Sequence, residues 1–316
     1  MYKVGVDLGG TNIVAGVIDE SNKIIGRHKV KTNVPRSAES IFDDIALCVK
    51  KAVEDAGITM DDFATVGTGT PGSVNKKTGV IEYANNLYFE HVPAVEFLSK
   101  TLPGKKVYLE NDANCAALGE ALAGAGKGRD SFVAITLGTG VGSGYILNKK
   151  LVTGCNDAGG EFGHIVINFD GEECTCGRKG CWEAYASATA LVRQTKRAME
   201  ANKDSYMWTL CDGKTENVNG RTAFDAMRAG DEAGKKVVER YIDYIAIGTI
   251  NVINALQPEL ICFGGGVSNE GENLLVPLRK RVDEFKYSRY ADTQTEITKA
   301  VLGNDAGIIG AALVEY

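Results

Sequence analysis

One histidine and three cysteines form the most specifically spaced group of potential metal ligands in this sequence. The group consists of His164, Cys174, Cys176 and Cys181. One imidazole nitrogen and three thiolates are enough to hold Zn²⁺ in a tetrahedral site. Because protein atoms would fill all four positions, the pattern predicts a structural zinc ion. The alternative is a set of reduced thiols that bind no metal.

Glycine clusters mark four places where the backbone could approach a phosphate closely. The chain has 38 glycines and 6 prolines, and the clusters lie beside short apolar runs. Glycine turns at strand ends can present main-chain N–H groups to phosphate oxygens, although tight turns without a ligand are the simpler alternative. Several such turns in one chain favour a nucleotide or phosphate ligand. The clusters are Gly9-Gly10, Gly138-Thr139-Gly140, Gly159-Gly160 and Gly264-Gly265-Gly266.

The first glycine turn combines phosphate donors with a carboxylate. Gly9 and Gly10 permit close approach, and Thr11 and Asn12 offer a hydroxyl and an amide to a phosphate. Asp7 would repel a phosphate, so we expect it to hold Mg²⁺ through water. The turn is not a P-loop, because the chain contains no Gly-x-x-x-x-Gly-Lys-Ser/Thr. It is also not a dinucleotide-binding turn, because a strand rather than a helix follows it.

Asp112 lies at the junction between a predicted strand and a predicted helix. It follows a predicted strand at Lys106–Glu110 and begins a predicted helix at Asp112–Ala123. The dipole of that helix would favour the ionised carboxylate, which could orient a hydroxyl and accept its proton. On the residues alone, a plain helix N-cap is the favoured interpretation of Asp112.

The elements that must position these residues follow an α/β pattern whose first half reads β-β-β-α-β-α. Besides the two elements around Asp112, the first half has predicted strands at Val4–Leu8, Asn12–Ile18, Ile24–Lys31 and Thr65–Gly69 and a helix at Ile41–Ala56. The apolar run from Phe132 and the turn after Leu137 repeat the pattern around Leu8. We interpret this as two halves of one architecture, with chance similarity of two hairpins as the alternative.

The second half continues with four predicted helices and two further strands. The helices are Trp182–Asn202, Glu232–Ala255, Asn273–Phe285 and Ala306–Val314, and the strands are Leu260–Phe263 and Glu296–Leu302. The last helix is strongly apolar, so we expect it to pack on the first domain. We therefore predict a small α/β domain at 1–121, completed by 303–316, and a large α/β domain with the zinc site at 122–302.

Composition and charge exclude several classes of protein. The 35 basic and 41 acidic residues give a net charge of −6, which argues against nucleic-acid binding through a generally basic surface. No apolar run has the length of about 20 residues that a membrane-spanning helix needs. The chain enters a strand pattern directly after Met1, so we expect a cytoplasmic protein.

We expect the five cysteines outside the predicted zinc site to be reduced, buried apolar side chains. They are Cys48, Cys115, Cys155, Cys211 and Cys262.

Several motifs together resemble those of a known family. Asp7-x-Gly-Gly-Thr11, the turn after Leu137 and the glycines after Phe263 are similar to the phosphate and adenosine motifs of the actin/Hsp70/sugar-kinase fold. Gly159-Gly-Glu-Phe-Gly-His164 and the cysteine-rich segment from Cys174 to Ser187 resemble the two signatures of the ROK (repressor, open reading frame, kinase) family. The resemblance implies a two-domain, actin-like (ribonuclease H-like) fold with a cleft between the domains.

Within that family, the segment Glu183–Leu191 is similar to bacterial ROK glucokinases in particular. The resemblance therefore implies ATP-dependent phosphorylation of D-glucose at the 6-hydroxyl, with Mg²⁺ and a structural Zn²⁺. It also implies that Asp112 is the catalytic base and that the glycines after Phe263 pass under the adenosine. The residues implied to contact the sugar are Gly72, Asn86, Asn111, Asp112, Glu161, His164 and Glu183.

Other activities within the same family remain open at this point. The sugar could be fructose, N-acetylmannosamine or N-acetylglucosamine, since the binding frame would be shared. A sugar-responsive repressor is disfavoured, because the first strand leaves no room for a preceding DNA-reading segment, and we expect no nucleic-acid partner. A pure sugar-binding module is disfavoured because both Asp7 and Asp112 are present. The family also implies a homodimer or a homotetramer.

Overall fold

The computed structural model describes residues 2–315, and the chain divides into two compact units. One unit contains Met1–Ala134, Gly144–Gly160 and Val301–Tyr316, and the other contains Ile135–Ser143 and Glu161–Ala300. Among residues 2–315, no helix combines the length and the apolar character that crossing a bilayer requires.

A five-stranded sheet in the order β3-β2-β1-β4-β8 forms the centre of the first unit. Neighbouring strands are antiparallel from β3 to β1 and parallel from β1 to β8. The alternating and β-branched residues of β1 and β2 favour extended structure. The strands are β1 (Tyr2–Leu8), β2 (Asn12–Ile18), β3 (Ile24–Lys31), β4 (Phe63–Thr70) and β8 (Lys106–Asn111).

Helices cover this sheet and bury its apolar side chains. Helix α1 (Ala38–Asp55) begins three residues before the predicted start, because Ser37 caps it by accepting a hydrogen bond from the Ser40 N–H at 3.3 Å. Phe42 of α1 stacks on Phe97 of helix α2 (Ala94–Thr101) with ring centroids 5.4 Å apart. Helix α3 follows β8 and spans Asp112–Ala123.

The last helix, α10 (Ala306–Leu313), packs on the same sheet and on α3 through glycine contacts. A Cβ atom built on Gly67 of β4 would overlap the Ala311 carbonyl oxygen. A Cβ atom on Gly310 would likewise overlap the Cys115 carbonyl oxygen of α3. Hydrogen atoms at these positions allow backbones to approach more closely than any side chain permits.

Three short strands and helix α2, all between β4 and β8, are absent from the sequence-based prediction. A three-stranded antiparallel sheet is formed by β5 (Ser73–Asn75), β6 (Val80–Ala84) and β7 (Phe89–Val92), and α2 follows it. These strands have three to five residues, which is too few for a clear period-two pattern.

A second five-stranded sheet has the order β11-β10-β9-β12-β13. In both five-stranded sheets, the strand that precedes the glycine turn is central, with its hairpin partner on one side. This common topology confirms the predicted repeat. The strands are β9 (Ser131–Leu137), β10 (Val141–Leu147), β11 (Lys150–Leu151), β12 (Leu260–Gly264) and β13 (Glu296–Lys299). The last strand is therefore shorter than the predicted Glu296–Leu302.

The predicted single helix Trp182–Asn202 is wrong, because the chain breaks at Ser187. Ser187 has extended backbone angles, and its hydroxyl accepts a hydrogen bond from the Ala190 N–H at 3.1 Å. This cap starts a new helix, as serine favours. The helices of this region are α4 (Glu183–Ala186), α5 (Ala188–Ala201), α6 (Met207–Leu210), α7 (Thr222–Arg228), α8 (Glu232–Leu256) and α9 (Glu272–Phe285).

Candidate active site

The turn after β1 follows directly on the half-buried carboxylate of Asp7. The Gly9 N–H donates to the Asn12 carbonyl oxygen at 2.9 Å, which closes the turn between β1 and β2. Burial raises the pKa of Asp7 above its usual value of 3.8. Within residues 2–315, no lysine or arginine pairs with Asp7, and the buried Oδ1 atom of Asn12 has no hydrogen-bond partner. The turn thus presents oxygen atoms suited to a cation.

Asn86 lies directly against this turn, as the backbone of the short helix Asn85–Leu87 shows. A Cβ atom built on Gly10 would lie 2.9 Å from the Asn86 carbonyl oxygen. Gly10 is therefore required for the approach of the two segments. The structure thus brings Asn86, a predicted sugar contact, next to a predicted phosphate-binding turn.

Asp112 is the first residue of α3, and Asn111, not Asp112, is the N-cap. The Asn111 Oδ1 atom accepts hydrogen bonds from the N–H groups of Ala113 at 2.8 Å and Asn114 at 3.1 Å. The interpretation of Asp112 as a simple N-cap is therefore wrong. Because Asn111 performs the capping, the Asp112 carboxylate lies in the first turn, where the helix dipole favours its ionised form.

Gly72 is held beside the Asn111 side chain. The Asn111 Nδ2 atom donates to the Gly72 carbonyl oxygen at 3.0 Å. Gly72 has φ +88°, and a Cβ atom there would overlap the Tyr83 carbonyl oxygen. Glycine is thus needed for both the backbone angle and the space. Two predicted sugar contacts are in direct contact as a result.

Asp7 and Asp112 both lie at the carboxyl ends of strands in the first sheet, Asp7 near the end of β1 and Asp112 directly after β8. In the strand register, Asp7 lies opposite Gly69, and Gly69 lies opposite Glu110. The buried thiol of Cys115 has a pKa well above its usual value of 9.0, because of burial and the nearby charges of Glu110, Asp112 and Asp7. The carboxylates of Asp7 and Asp112 therefore both lie near the Cys115 thiol.

The second glycine turn, Gly138–Gly140, is anchored to the start of α5. The Gly138 N–H donates to the Gly140 carbonyl oxygen at 3.0 Å, and the Ala188 N–H donates to the Gly138 carbonyl oxygen at 2.8 Å. The Thr189 hydroxyl donates to the Thr139 carbonyl oxygen at 2.8 Å. These contacts fix the carbonyl side of the turn.

The third glycine cluster lies against the end of β9. Gly265 has φ +82°, and a Cβ atom on it would lie 2.5 Å from the Leu137 carbonyl oxygen. Leu137 immediately precedes the second turn, so the structure places two predicted nucleotide-binding segments together. Gly264 ends β12, and Gly266 opens the short helix Gly266–Glu270.

The four predicted metal ligands converge. Their ligand atoms, from His164, Cys174, Cys176 and Cys181, all lie within 4.8 Å of one another. The Cys176 and Cys181 sulfur atoms are 3.6 Å apart, and the Cys174 sulfur lies 3.7 Å from the His164 Nδ1 atom. A tetrahedron with Zn–S bonds of about 2.3 Å has edges of about 3.8 Å. The group therefore fits a tetrahedral zinc ion.

Glu161, His164 and Glu183 are neighbours around the short helix Phe162–His164. Burial and the Glu183 charge raise the pKa of Glu161, while His164 opposes the shift. Since His164 turns Nδ1 toward Cys174, its Nε2 atom is the nitrogen left for another partner. One histidine can thus serve both a metal and a sugar.

Sequence reasoning missed two features of this region. Ser143, which interrupts a glycine run, has a buried hydroxyl that accepts a hydrogen bond from the Phe162 N–H at 3.0 Å. Cys155 is exposed rather than buried. The first could have been suspected because a serine within a glycine run can add a hydrogen bond; nothing in the pattern indicates the second.

The repeated sheets and the glycine turns define a two-domain, actin-like sugar-kinase fold. The model of the ROK family matches residues 3–315, and the chain belongs to the ROK family.

Relatives and solved structures extend this likeness over nearly the full chain. The chain is 38% identical to a glucokinase of Thermotoga maritima over 98% of this chain and 96% of that protein. A crystal structure of a ROK glucokinase from Streptomyces griseus, in complex with glucose and AMPPNP, is 37% identical with a TM-score of 0.83, covering 99% of this chain and 98% of that one. An N-acetyl-D-glucosamine kinase of Histophilus somni is 31% identical over 98% and 97% of the two chains.

Proposed function

We propose that this protein is a glucokinase, which transfers the γ-phosphoryl group of ATP to the 6-hydroxyl of D-glucose. The observation that carries the proposal is the full-length similarity to glucokinases, one of them solved with glucose and an ATP analogue. It is supported by the position of Asp112 at the start of α3, beside the Asp7 turn. The products are ADP and glucose 6-phosphate.

In the proposed reaction, Asp112 is the general base. Its ionised carboxylate accepts a hydrogen bond from the glucose 6-hydroxyl and takes the proton as the new P–O bond forms. The bond between the γ-phosphorus and the ADP oxygen breaks, and ADP leaves with the electron pair. Asn111 and Gly72, which are joined by a hydrogen bond, would contact the sugar together with Asn86.

Glucose binding in the second unit is assigned to Glu161, His164 and Glu183. Carboxylates accept hydrogen bonds from sugar hydroxyls, and a rigid frame gives these contacts their selectivity. The charges of His164 and Glu183 both act on the Glu161 carboxylate, which places the three side chains near one another. The pocket around the sugar 2-position then decides which hexose is preferred.

ATP binding is assigned to the three glycine turns. The first two turns would hold the phosphates, and the third would lie at the adenosine. The residues are Gly9, Gly10, Thr11 and Asn12 in the first turn, Gly138, Thr139 and Gly140 in the second, and Gly264, Gly265 and Gly266 in the third. Mg²⁺ would be held through water by Asp7. Its half-buried carboxylate fits an oxygen-seeking cation, as does the Asn12 Oδ1 atom, which has no hydrogen-bond partner within residues 2–315. When bound, Mg²⁺ neutralises charge on the phosphates.

Zn²⁺ would be held by His164, Cys174, Cys176 and Cys181. With four protein ligands there is no open position for a reacting group, so the ion would stabilise structure. It would tie the His164 segment to the chain that leads into α4, on which Glu183 lies.

A panel of sugars tests the proposed substrate. ADP release is measured with D-glucose, D-fructose, N-acetyl-D-mannosamine and N-acetyl-D-glucosamine. We expect the highest kcat/KM for glucose. A higher value for N-acetyl-D-glucosamine would favour an N-acetyl-D-glucosamine kinase, the activity of the Histophilus somni relative.

We also propose that the protein forms a homodimer or a homotetramer. Light scattering during size-exclusion chromatography would measure the mass of the assembly, to be compared with the 33.7 kDa of one chain.

A further inference from the structure

A buried carboxylate that the proposed reaction does not use lies two residues before the general base. The side chain of Glu110 is 1% exposed. Its Oε1 atom accepts hydrogen bonds from the Asn111 N–H at 2.9 Å and from the Asn114 Nδ2 atom at 3.0 Å. One carboxylate oxygen therefore contacts residues on both sides of Asp112 in the chain.

The cation that neutralises Glu110 comes from a distant part of the sequence. Lys76 follows β5, its side chain is 13% exposed, and its ammonium group forms an ion pair with Glu110 Oε2. The same ammonium group donates to the Thr153 hydroxyl at 3.3 Å and lies 3.8 Å from Asp157 Oδ1. The Lys76 N–H also donates to Asp157 Oδ2 at 3.1 Å. Both the backbone N–H and the ammonium group of Lys76 are therefore held by other residues.

A buried ion pair of this kind contributes little net stability, because removing both charges from water costs about as much as their attraction returns. Its two charges nevertheless restrict each other's position, and the loss of one leaves the other buried and uncompensated. Such a pair is therefore better suited to fixing geometry than to holding the fold together.

We propose that Lys76 and Glu110 are positioning residues for the general base. Lys76 fixes the Glu110 carboxylate, and that carboxylate holds Asn111 and Asn114, so that the turn bearing Asp112 keeps one conformation. The Thr153–Asp157 segment acts as the anchor for Lys76. This inference rests on the proposed role of Asp112 as the base.

Substitutions at Lys76 test the proposal against an adjacent control. Lys76→Met removes the charge and keeps most of the side-chain volume, Lys76→Arg keeps the charge, and Lys77→Met changes an exposed neighbour. We expect Lys76→Met to lower kcat for glucose about 10- to 100-fold, as a small displacement of a reacting group does, with the KM for ATP unchanged. Lys76→Arg should recover most of the rate, and Lys77→Met should match the parent.

Hydrogen exchange provides a readout that does not depend on activity. The amide groups of Asn111, Ala113 and Asn114 should exchange faster in Lys76→Met than in the parent or in Lys77→Met, while the amides of β1 keep their protection. If Lys76→Met does not fold, Glu110→Gln is measured instead, since it keeps the volume and one acceptor oxygen but removes the attraction for Lys76.

The outcomes separate this inference from the proposed function. A parent-like kcat in folded Lys76→Met, together with unchanged exchange at 111–114, would overturn the positioning role alone. Full activity in Asp112→Asn would instead overturn the role of the base and the inference with it. A drop in kcat with faster exchange, restored by arginine, would support both.

Discussion

The Glu183 carboxylate accepts a hydrogen bond from the Val141 N–H at 2.9 Å, at the end of the second glycine turn. Its other oxygen accepts a hydrogen bond from the Thr175 hydroxyl at 3.3 Å, in the segment between two proposed zinc ligands. A Cβ atom on Gly140 would overlap the same carboxylate. Glu183 therefore joins the proposed phosphate, sugar and zinc regions of its unit.

This relationship predicts different effects for two substitutions of Glu183. Glu183→Gln keeps an oxygen that can accept the hydrogen bond from the Val141 N–H, so the KM for ATP should be nearly unchanged. The KM for glucose should rise, because the variant loses the carboxylate assigned to the sugar. Glu183→Ala removes both contacts and should raise both KM values, because the phosphate turn loses the hydrogen bond at its Val141 end. Steady-state kinetics with each substrate varied would measure this. If the alanine variant changed only the glucose KM, the carboxylate would not support the turn.

Asp112→Asn should abolish most of the activity while the fold is kept. The amide cannot accept the proton of the 6-hydroxyl, so we expect kcat to fall by at least about 100-fold. Calorimetric titration should still show glucose binding, because the hydrogen bonds of Asn111 to Gly72 and to α3 do not involve Asp112. Asp61→Asn, at an exposed site, is the matched control. A parent-like rate in folded Asp112→Asn would refute the mechanism.

Removal of one cysteine from the proposed zinc site should release the metal and loosen its unit. We expect Cys176→Ser to lose bound zinc in elemental analysis. The melting temperature should fall by about 10 °C, since a structural site contributes several kcal/mol and each kcal/mol shifts Tm by about 2–4 °C in domains of this size.

Cys155→Ser is the control for this experiment, because Cys155 is exposed and outside the cluster. It should keep both the metal and the parent melting temperature. Equal zinc content in Cys176→Ser and Cys155→Ser would show that the metal is not held by this cluster.

The raised pKa of Asp7 predicts how the stability of the ligand-free protein depends on pH. Burial disfavours the ionised form, so the folded protein binds its proton more tightly than the unfolded chain, whose pKa is near 3.8. The free energy of unfolding contributed by this group therefore falls as the pH rises from 3.8 through the higher folded pKa, and it is constant above that.

Asp7→Asn should remove this slope, because an amide does not titrate. At neutral pH the ligand-free variant should melt at a higher temperature than the parent, yet turn over ATP far more slowly because the proposed Mg²⁺ ligand is lost. Thermal melts across pH with Asp204→Asn, an exposed site, as the control would measure the difference. A lower Tm than the parent at neutral pH would contradict the assigned cost of burying Asp7.

The sequence was sufficient for features that repeat or lie close together in the chain. The spacing of His164, Cys174 and the following cysteines indicates a metal site, and the recurring glycine turn predicts the common topology of the two five-stranded sheets. The cap of α3 was assigned one residue too late, since aspartate and asparagine cap helices about equally well and the residues alone cannot choose between Asn111 and Asp112.

Contacts between distant residues could not be predicted in the same way. Lys76 stands beside another lysine, a pattern typical of a solvated surface, and only the tertiary structure brings it to Glu110. Helical periodicity continues through Ser187, so the break there depends on a local hydrogen bond that competes with the helix.

The packing of α10 on the first sheet predicts a severe effect for one added methyl group. A Cβ atom on Gly67 would overlap the Ala311 carbonyl oxygen. Because that oxygen belongs to the backbone of α10, no side-chain rotation can relieve the overlap. We expect Gly67→Ala to lower the free energy of unfolding by about 3 kcal/mol or more, at the upper end for overpacked cores.

Gly220→Ala is the matched control for this substitution, because no atom lies within 4 Å of the Cβ position there. Its stability should be equal to the parent's or slightly higher, since alanine restricts the unfolded chain. Urea unfolding followed by circular dichroism would measure both variants. Equal midpoints for Gly67→Ala and Gly220→Ala would mean that α10 can move away from β4 at no cost, and the close backbone contact would then not hold this helix in place.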